Sequence, residues 1–160
     1  NTATTNAIKE LRATYDVPFI GIEPAIKPAA THSKTQTIGI LATKGTLSSE
    51  LFNKTVSLYQ ETNIIEQIGY GLVELIENGE IDSPEMEELL VSYLTPMIEK
   101  NIDYLVLGCS HYPYLIPKIK AILPKSVQII DSGEAVAKQT LTVLQNQTGI
   151  SDLEKGKCVF

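Results

Sequence analysis

The sequence is poor in the residues that several classes of protein require. Cysteine occurs only twice in 160 residues, at positions 109 and 158, in unrelated contexts. Two distant cysteines do not make a disulfide framework, so we expect an intracellular protein with reduced thiols. Of the 2 histidines, only His111 lies close to a cysteine, Cys109. This does not provide the ligand spacing of a zinc site, and we expect no metal.

Basic residues are scarce as well. The chain has 13 Lys and Arg against 19 Asp and Glu, a net charge of −6. Nucleic acids and anionic membranes are bound by basic surfaces, so we expect neither as a partner. No apolar run approaches the roughly 18 residues of a membrane span, and the first residues show no signal-peptide pattern. We therefore expect a cytoplasmic protein, and its hydrophobic fraction of 43% suffices for one sizeable core or two small ones.

Apolar runs alternate with helix-like stretches along the chain. The pattern predicts strands at Val17–Ile22, Thr37–Ala42, Asn63–Ile68, Tyr104–Leu107 and Val127–Ile130, and another beginning at Cys158. It predicts helices at Ala3–Tyr15, after Thr46, and at Leu72–Glu77, Pro84–Glu99, Pro117–Leu123 and Gly133–Gln145, with a polar loop around His32. Continuously apolar strands that alternate with helices are typical of a parallel sheet covered by helices on both faces.

Ligands of such sheets bind beyond the carboxyl ends of the strands. This rule favours three turns as parts of a site: Glu23-Pro24, Thr43 to Thr46, and Cys109 to His111.

Cys109 follows the apolar run YLVLG, at a point where a helix is expected to begin. A helix N-terminus stabilises a thiolate, and His111 can exchange a proton with groups in the same pocket. Tyr112 and Tyr114 are expected to shield this pocket from water. A buried cysteine that serves only as a small hydrophobe is the alternative. The position at a strand end, together with the nearby histidine, favours a reactive thiol.

Thr43 and Thr46 offer two hydroxyl groups at another predicted helix start. Such an edge suits a carboxylate or a phosphate, although the segment is not a P-loop, which needs more glycines and a Gly-Lys-Ser/Thr ending. Ordinary N-capping by these threonines is the alternative. Asn1 and Thr2 likewise precede a predicted helix and also fit a capping role.

Several segments together carry a family resemblance. They are NTAT at 1–4, VPFIGIEPAIKPA at 17–29, IGILATKGT at 38–46, GLVELIENG at 71–79, VLGCSHYPYL at 106–115 and IDSGEAVA at 130–137. In this order they resemble the cofactor-independent glutamate racemases of the aspartate/glutamate racemase superfamily. The resemblance implies a flavodoxin-like parallel sheet with helices on both faces, forming one complete lobe plus remnants of a second, similar lobe.

The resemblance also implies a mechanism and a site. One cysteine thiolate removes the α-proton of glutamate while a second thiol delivers a proton to the opposite face, without pyridoxal phosphate or any other cofactor. The product D-glutamate serves peptidoglycan synthesis, and the full-length enzyme is expected to be a homodimer. By match, the catalytic residues are Cys109 (the second of the two cysteines), His111 and Glu77, and the substrate-binding residues are Asn1, Thr2, Thr43, Thr46 and Ser110.

The sequence departs from the family pattern at its first residue. In the family NTAT is directly preceded by the first catalytic cysteine, whereas this sequence begins at Asn1. We therefore expect residues 24–131 to form the complete lobe that carries Cys109, and residues 1–23 and 132–160 to belong to the other lobe. A chain that lacks the first cysteine is expected to be an N-terminally truncated piece that does not racemise glutamate by itself.

Three alternatives stay open. The first is another member of the superfamily, such as an aspartate racemase or a malonate-type decarboxylase. The second is a cysteine hydrolase or amidotransferase, although such nucleophile turns usually read Gly-x-Cys-x-Gly and position 111 is His. The third is a lobe that binds a carboxylate without catalysis. From the residues alone, Glu77 with Glu74 also fits a solvated helix face.

Overall fold

The structure is a computed structural model that describes residues 1–147. Its centre is a parallel sheet of strands β1 (Thr37–Ala42), β2 (Asn63–Ile68), β3 (Tyr104–Gly108) and β4 (Gln128–Ile130), in the order β2-β1-β3-β4. In the register of the sheet, Ala42 pairs with both Ile68 and Gly108, so β1, β2 and β3 end at the same level. The predicted parallel sheet is thereby confirmed.

Eight α-helices and one 3-10 helix are found among residues 1–147. They are α1 (Thr2–Thr14), α2 (Ile26–His32), α3 (Lys44–Leu47), α4 (Glu50–Val56), α5 (Leu72–Glu77), α6 (Pro84–Glu99), the 3-10 helix Tyr112–Leu115, α7 (Ile116–Ile122) and α8 (Gly133–Gln147). The start of α6 shows why the prediction succeeds there, because Ser83 Oγ accepts from the Met86 amide and Pro84 occupies the first turn.

The one helix predicted after Thr46 is two short helices. Ser49 interrupts it, because its hydroxyl donates to the Thr46 carbonyl (2.7 Å) and accepts from the Phe52 amide (3.3 Å). This hydroxyl thus ends α3 and caps α4.

The sheet separates two hydrophobic clusters, which confirms that helices cover both faces. The first cluster joins Leu41, Leu105 and Leu107 of the strands to residues of α5, α6, the 3-10 helix and α7: Leu72, Leu75, Met86, Leu90, Leu94, Met97, Leu115 and Ile119. The second cluster joins Ile38, Ile40 and Val106 to residues of α2, α3 and α4: Ile26, Ala29, Leu47 and Phe52. Successive strand residues alternate between the clusters, as the period of a β-strand requires.

The strand predicted at Val17–Ile22 is wrong. Residues 15–25 have no regular secondary structure, since no described strand lies beside this segment to accept its ladder hydrogen bonds. Its backbone is satisfied by α1 instead: the Arg12 guanidinium donates to the Phe19 carbonyl (2.8 Å), and the Ile22 amide donates to Thr4 Oγ1 (3.0 Å).

The polar loop expected around His32 is also wrong, because His32 is the last residue of α2. Pro28 lies in the first turn of this helix, where the missing N–H costs nothing, and Ile26 and Ala29 are buried. The strand predicted from Cys158 lies outside the described residues. Within residues 1–147, no helix is both long and apolar enough to cross a membrane.

Candidate active site

The carboxyl ends of the strands bring the predicted site turns to one edge of the sheet. Thr43 follows β1 and Cys109 follows β3, and their preceding residues, Ala42 and Gly108, are partners in the sheet. A Cβ at Gly108 would lie 2.6 Å from the Ala42 Cβ and 3.2 Å from Pro24 Cγ. Glycine at this position therefore allows β1 and the Glu23-Pro24 turn to approach the thiol-bearing turn.

A thiol, an imidazole and a carboxylate form a chain at this edge. Cys109 Sγ lies 3.8 Å from His111 Nδ1, and His111 Nε2 contacts Glu77 Oε1. Cys109 is only 7% exposed, whereas the Glu77 side chain is 64% exposed. An ionised Glu77 accepts the hydrogen of Nε2, which leaves Nδ1 of a neutral imidazole as an acceptor for the thiol proton. The arrangement can therefore move a proton between Cys109 and His111.

Tyr112 links two turns at this edge. One is the turn after β3, which carries Cys109, and the other is the turn between β2 and α5, the helix that ends at Glu77. The Tyr112 side chain is fully buried, its hydroxyl donates to the Gly69 carbonyl (3.1 Å), and its amide donates to the Cys109 carbonyl (3.3 Å). Burial, with a smaller contribution from nearby Cys109, raises the pKa of the Tyr112 phenol well above its usual value. The phenol therefore stays a hydrogen donor at neutral pH. The expected shielding by Tyr114 is wrong, because that side chain is 67% exposed.

Three threonine hydroxyls form a second group at the same edge, which we call the hydroxyl triangle. Thr2 Oγ1 lies 2.7 Å from Thr43 Oγ1 and 3.1 Å from Thr46 Oγ1, and the latter two are 3.1 Å apart. Thr43 is the N-cap residue of α3, but its side chain makes no capping hydrogen bond. The hydroxyls are thus free of the capping role, and they can turn their hydrogens towards an acceptor such as a carboxylate.

Asn1 directly precedes Thr2, the residue of α1 that belongs to the hydroxyl triangle. The side-chain oxygen of Asn1 is buried and has no hydrogen-bond partner within residues 1–147. A buried acceptor without a donor lowers the stability of a folded protein. This oxygen is therefore suited to accept a hydrogen bond from a ligand.

The remaining predicted residues are placed as follows. Ser110 follows Cys109 directly and is exposed. Asp131 Oδ1 accepts from the Gly133 amide (2.6 Å) at the start of α8. Within the described residues, no three His, Cys, Asp or Glu side chains are grouped as a metal site would require. Asn6 and Gly45, which contact Thr2, were not found from the sequence, because nothing in the local pattern distinguishes them.

The fold and this edge define the class of the protein: a parallel α/β fold with a thiol, an imidazole and a carboxylate in contact at the carboxyl ends of its strands. Residues 1–140 match the Asp/Glu/Hydantoin racemase family, and the chain belongs to that family.

Named relatives agree with this assignment. The chain is 46% identical over 140 residues to a glutamate racemase of Cupriavidus pinatubonensis. The aligned region covers 87% of this chain and 52% of that protein. Among solved structures, Escherichia coli glutamate racemase in complex with L-glutamate and the activator UDP-MurNAc-ala is similar with a TM-score of 0.82 and 30% identity, over 97% of this chain and 59% of that one. The isoform RacE1 of Bacillus anthracis has a TM-score of 0.78 and 31% identity, over 94% of this chain and 57% of that one. The resemblance seen in the sequence is thus confirmed, and the chain spans little more than half the length of these relatives.

Proposed function

We propose that this protein is a glutamate racemase, a cofactor-independent isomerase that interconverts L- and D-glutamate by proton transfer at the α-carbon. The observation that carries the proposal is the contact of Cys109 with His111, and of His111 with Glu77, next to the hydroxyl triangle. The D-glutamate would supply peptidoglycan synthesis in the cytoplasm. The relatives named above are all glutamate racemases, which supports glutamate over aspartate as substrate.

In this proposal Cys109 is one of two proton-transfer groups. His111 takes the thiol proton, and Glu77 keeps the imidazole oriented with Nδ1 towards sulfur. The thiolate then removes the α-proton from one face of glutamate, and a second thiol gives a proton to the other face. The family pattern assigns the second thiol to the position before Asn1, and the contact of Thr2 with Thr43, at the same sheet edge as Cys109, supports this.

The same edge supplies groups for the substrate's carboxylates. A carboxylate only accepts hydrogen bonds, so the hydroxyls of Thr2, Thr43 and Thr46 would turn from one another towards its oxygens. Ser110 adds an exposed hydroxyl beside the thiol, and Asn1 adds a buried amide oxygen. Fixed donors around the α-carbon also stabilise the negative charge that develops there when the proton leaves.

We further propose that the substrate lies between two lobes. Residues 24–131 form the lobe that carries Cys109, and residues 1–23 and 132–160 belong to the other. Thr2 then approaches the substrate from one lobe, and Thr43 and Thr46 approach it from the other. A homodimer is the assembly that we propose for the full-length enzyme.

Ligand binding by the 160-residue chain tests the proposal. An NMR titration is expected to show saturable binding of D-glutamate, weaker binding of D-aspartate, and loss of D-glutamate binding in Thr43→Ala. Thr140→Ala is the matched control, because among the described residues the Thr140 hydroxyl bonds only to the Val136 carbonyl, within α8. Absence of saturable D-glutamate binding, or equal binding by Thr43→Ala, would contradict the proposal.

Racemisation is a separate measurement. The mechanism needs a thiol on each face of the α-carbon, and the family pattern assigns the second thiol to a position before Asn1 and not to Cys158. We therefore expect no interconversion of L- and D-glutamate by these 160 residues alone, as followed by chiral chromatography. Turnover in this assay would show that a thiol before Asn1 is not required.

A further inference from the structure

One side chain joins α1 to the turn between β1 and α3. The Asn6 amide nitrogen donates to the Thr2 carbonyl (2.8 Å) within α1 and to the Gly45 carbonyl (3.0 Å) across the two segments. These two partners are carbonyl oxygens, which only accept, so the side-chain nitrogen and not the oxygen must face them. A third partner, the Thr5 hydroxyl oxygen at 3.3 Å, can accept from the same nitrogen. The orientation of this amide is therefore fixed by its surroundings.

Gly45 provides the space that this contact requires. A Cβ at position 45 would lie 2.6 Å from Thr2 Cγ2, and the other Thr2 atoms would be 3.7 Å away or more. The methyl group of Thr2 thus packs directly on the Gly45 backbone. Any side chain at position 45 would push Thr2 away from Thr43 and Thr46.

We propose that Asn6 and Gly45 are positioning residues that keep the Thr2 hydroxyl in the hydroxyl triangle. Thr2 is exposed and occupies the first residue of α1, where a helix end frays unless it is held. The Asn6 side chain holds the first turn of α1 against Gly45 through its hydrogen bond to the Gly45 carbonyl. Because Gly45 has no side chain, the Thr2 methyl group can pack against its backbone. For ligand binding, the inference rests on the proposed function, because the proposed function assigns the hydroxyl triangle to a substrate carboxylate.

The first experiment compares Asn6→Ala with Asn53→Ala. Asn53 donates from its side-chain nitrogen to the carbonyl four residues earlier, Ser49 (3.0 Å), as Asn6 does to Thr2. Unlike Asn6, the Asn53 side chain makes no hydrogen bond to another segment among residues 1–147. Asn6→Ala is expected to weaken D-glutamate binding about fivefold, the equivalent of one net hydrogen bond. It should also weaken the nuclear Overhauser contact between the Thr2 methyl group and the Gly45 α-hydrogens. Asn53→Ala should change neither quantity.

The second experiment uses Gly45→Ala, which leaves the Asn6 bond donor in place. It is expected to weaken D-glutamate binding fivefold or more, because the new methyl group overlaps Thr2 Cγ2. Thr2→Ser removes that methyl group and keeps the hydroxyl. The double variant Gly45→Ala/Thr2→Ser should therefore recover most of the lost affinity, a rescue that general destabilisation would not give.

The outcomes separate this inference from the proposed function. If the unsubstituted chain does not bind D-glutamate, the proposed function fails, and the Overhauser contact in Asn6→Ala still decides whether Asn6 positions Thr2. If D-glutamate binds and Thr43→Ala abolishes binding, but Asn6→Ala retains full affinity or the full Overhauser contact, the positioning role is overturned. Failure of Thr2→Ser to rescue Gly45→Ala would overturn the role of Gly45.

Discussion

The Tyr112→Phe substitution tests how the fold fixes the site, because it removes a single buried oxygen. The Tyr112 hydroxyl is the donor to the Gly69 carbonyl, on the turn between β2 and α5. Losing a net hydrogen bond costs about 1 kcal/mol, and a buried carbonyl left without a donor costs about 1–3 kcal/mol. Since the ring still fills its space, we expect the free energy of unfolding to fall by about 1–2 kcal/mol. The raised pKa of the phenol keeps it protonated, so the loss should be constant between pH 6 and pH 9.

Gly69→Ala completes a double-mutant cycle with this change. A Cβ at Gly69 would overlap the Tyr112 hydroxyl and lie 2.8 Å from Leu72 Cδ1, which is expected to cost about 1–3 kcal/mol. Removing the hydroxyl relieves the first of these overlaps. The double variant should therefore lose less than the sum of the single variants, by about 0.5–1 kcal/mol.

Urea unfolding followed by circular dichroism measures each of these free energies. Tyr104→Phe is the matched control, because the half-buried Tyr104 makes no hydroxyl hydrogen bond within residues 1–147, and it should change stability by less than about 0.5 kcal/mol. The reasoning is refuted if Tyr112→Phe is as mild as this control, or if the two single losses are additive.

Three further predictions concern other contacts. Burial raises the pKa of the Asp103 carboxyl, but hydrogen bonds from the Ser33 hydroxyl (2.7 Å) and two backbone amides outweigh it and lower the pKa overall. This stabilisation is present above the unfolded pKa of about 3.9 and is lost as pH falls through the lowered folded value, so the deficit of Asp103→Asn in urea unfolding should shrink below about pH 4. Ser83→Ala removes the cap of α6 and should cost about 1 kcal/mol in the same assay, without changing D-glutamate binding. Glu77→Ala should abolish the preference of the His111 imidazole for a hydrogen on Nε2. Nitrogen-15 NMR measures this tautomer, and an unchanged tautomer in the variant would contradict the orienting role of Glu77.

Local signals were enough to predict most of the sheet and the thiol turn. The run YLVLG of β3 is apolar throughout because both faces of the strand are covered, and the residue after its final glycine must lie at the sheet edge. Cys109 could be placed there from the sequence alone. The neighbouring His111 is two residues away, so its closeness to the thiol follows from the spacing.

Contacts between distant segments could not be found in this way. Val17–Ile22 is as apolar as a strand, but strand formation needs a neighbour, which no local pattern reveals. Glu77 and His111 are 34 positions apart, and their proximity was expected only because of the family resemblance. The bond from Asn6 to Gly45 spans 39 positions, and the local pattern around either residue does not indicate the other segment.

The two hydrophobic clusters have a consequence for how this lobe tolerates change. Cys109, Tyr112 and Leu115 belong to the cluster on one side of the sheet, whereas Phe52 belongs to the cluster on the other side. Substitutions on opposite sides share few neighbours, so their effects on stability are expected to add independently. The β-sheet thus acts as a partition: a substitution around α2 or α4 is expected to leave the packing around Cys109, on the opposite side, unchanged.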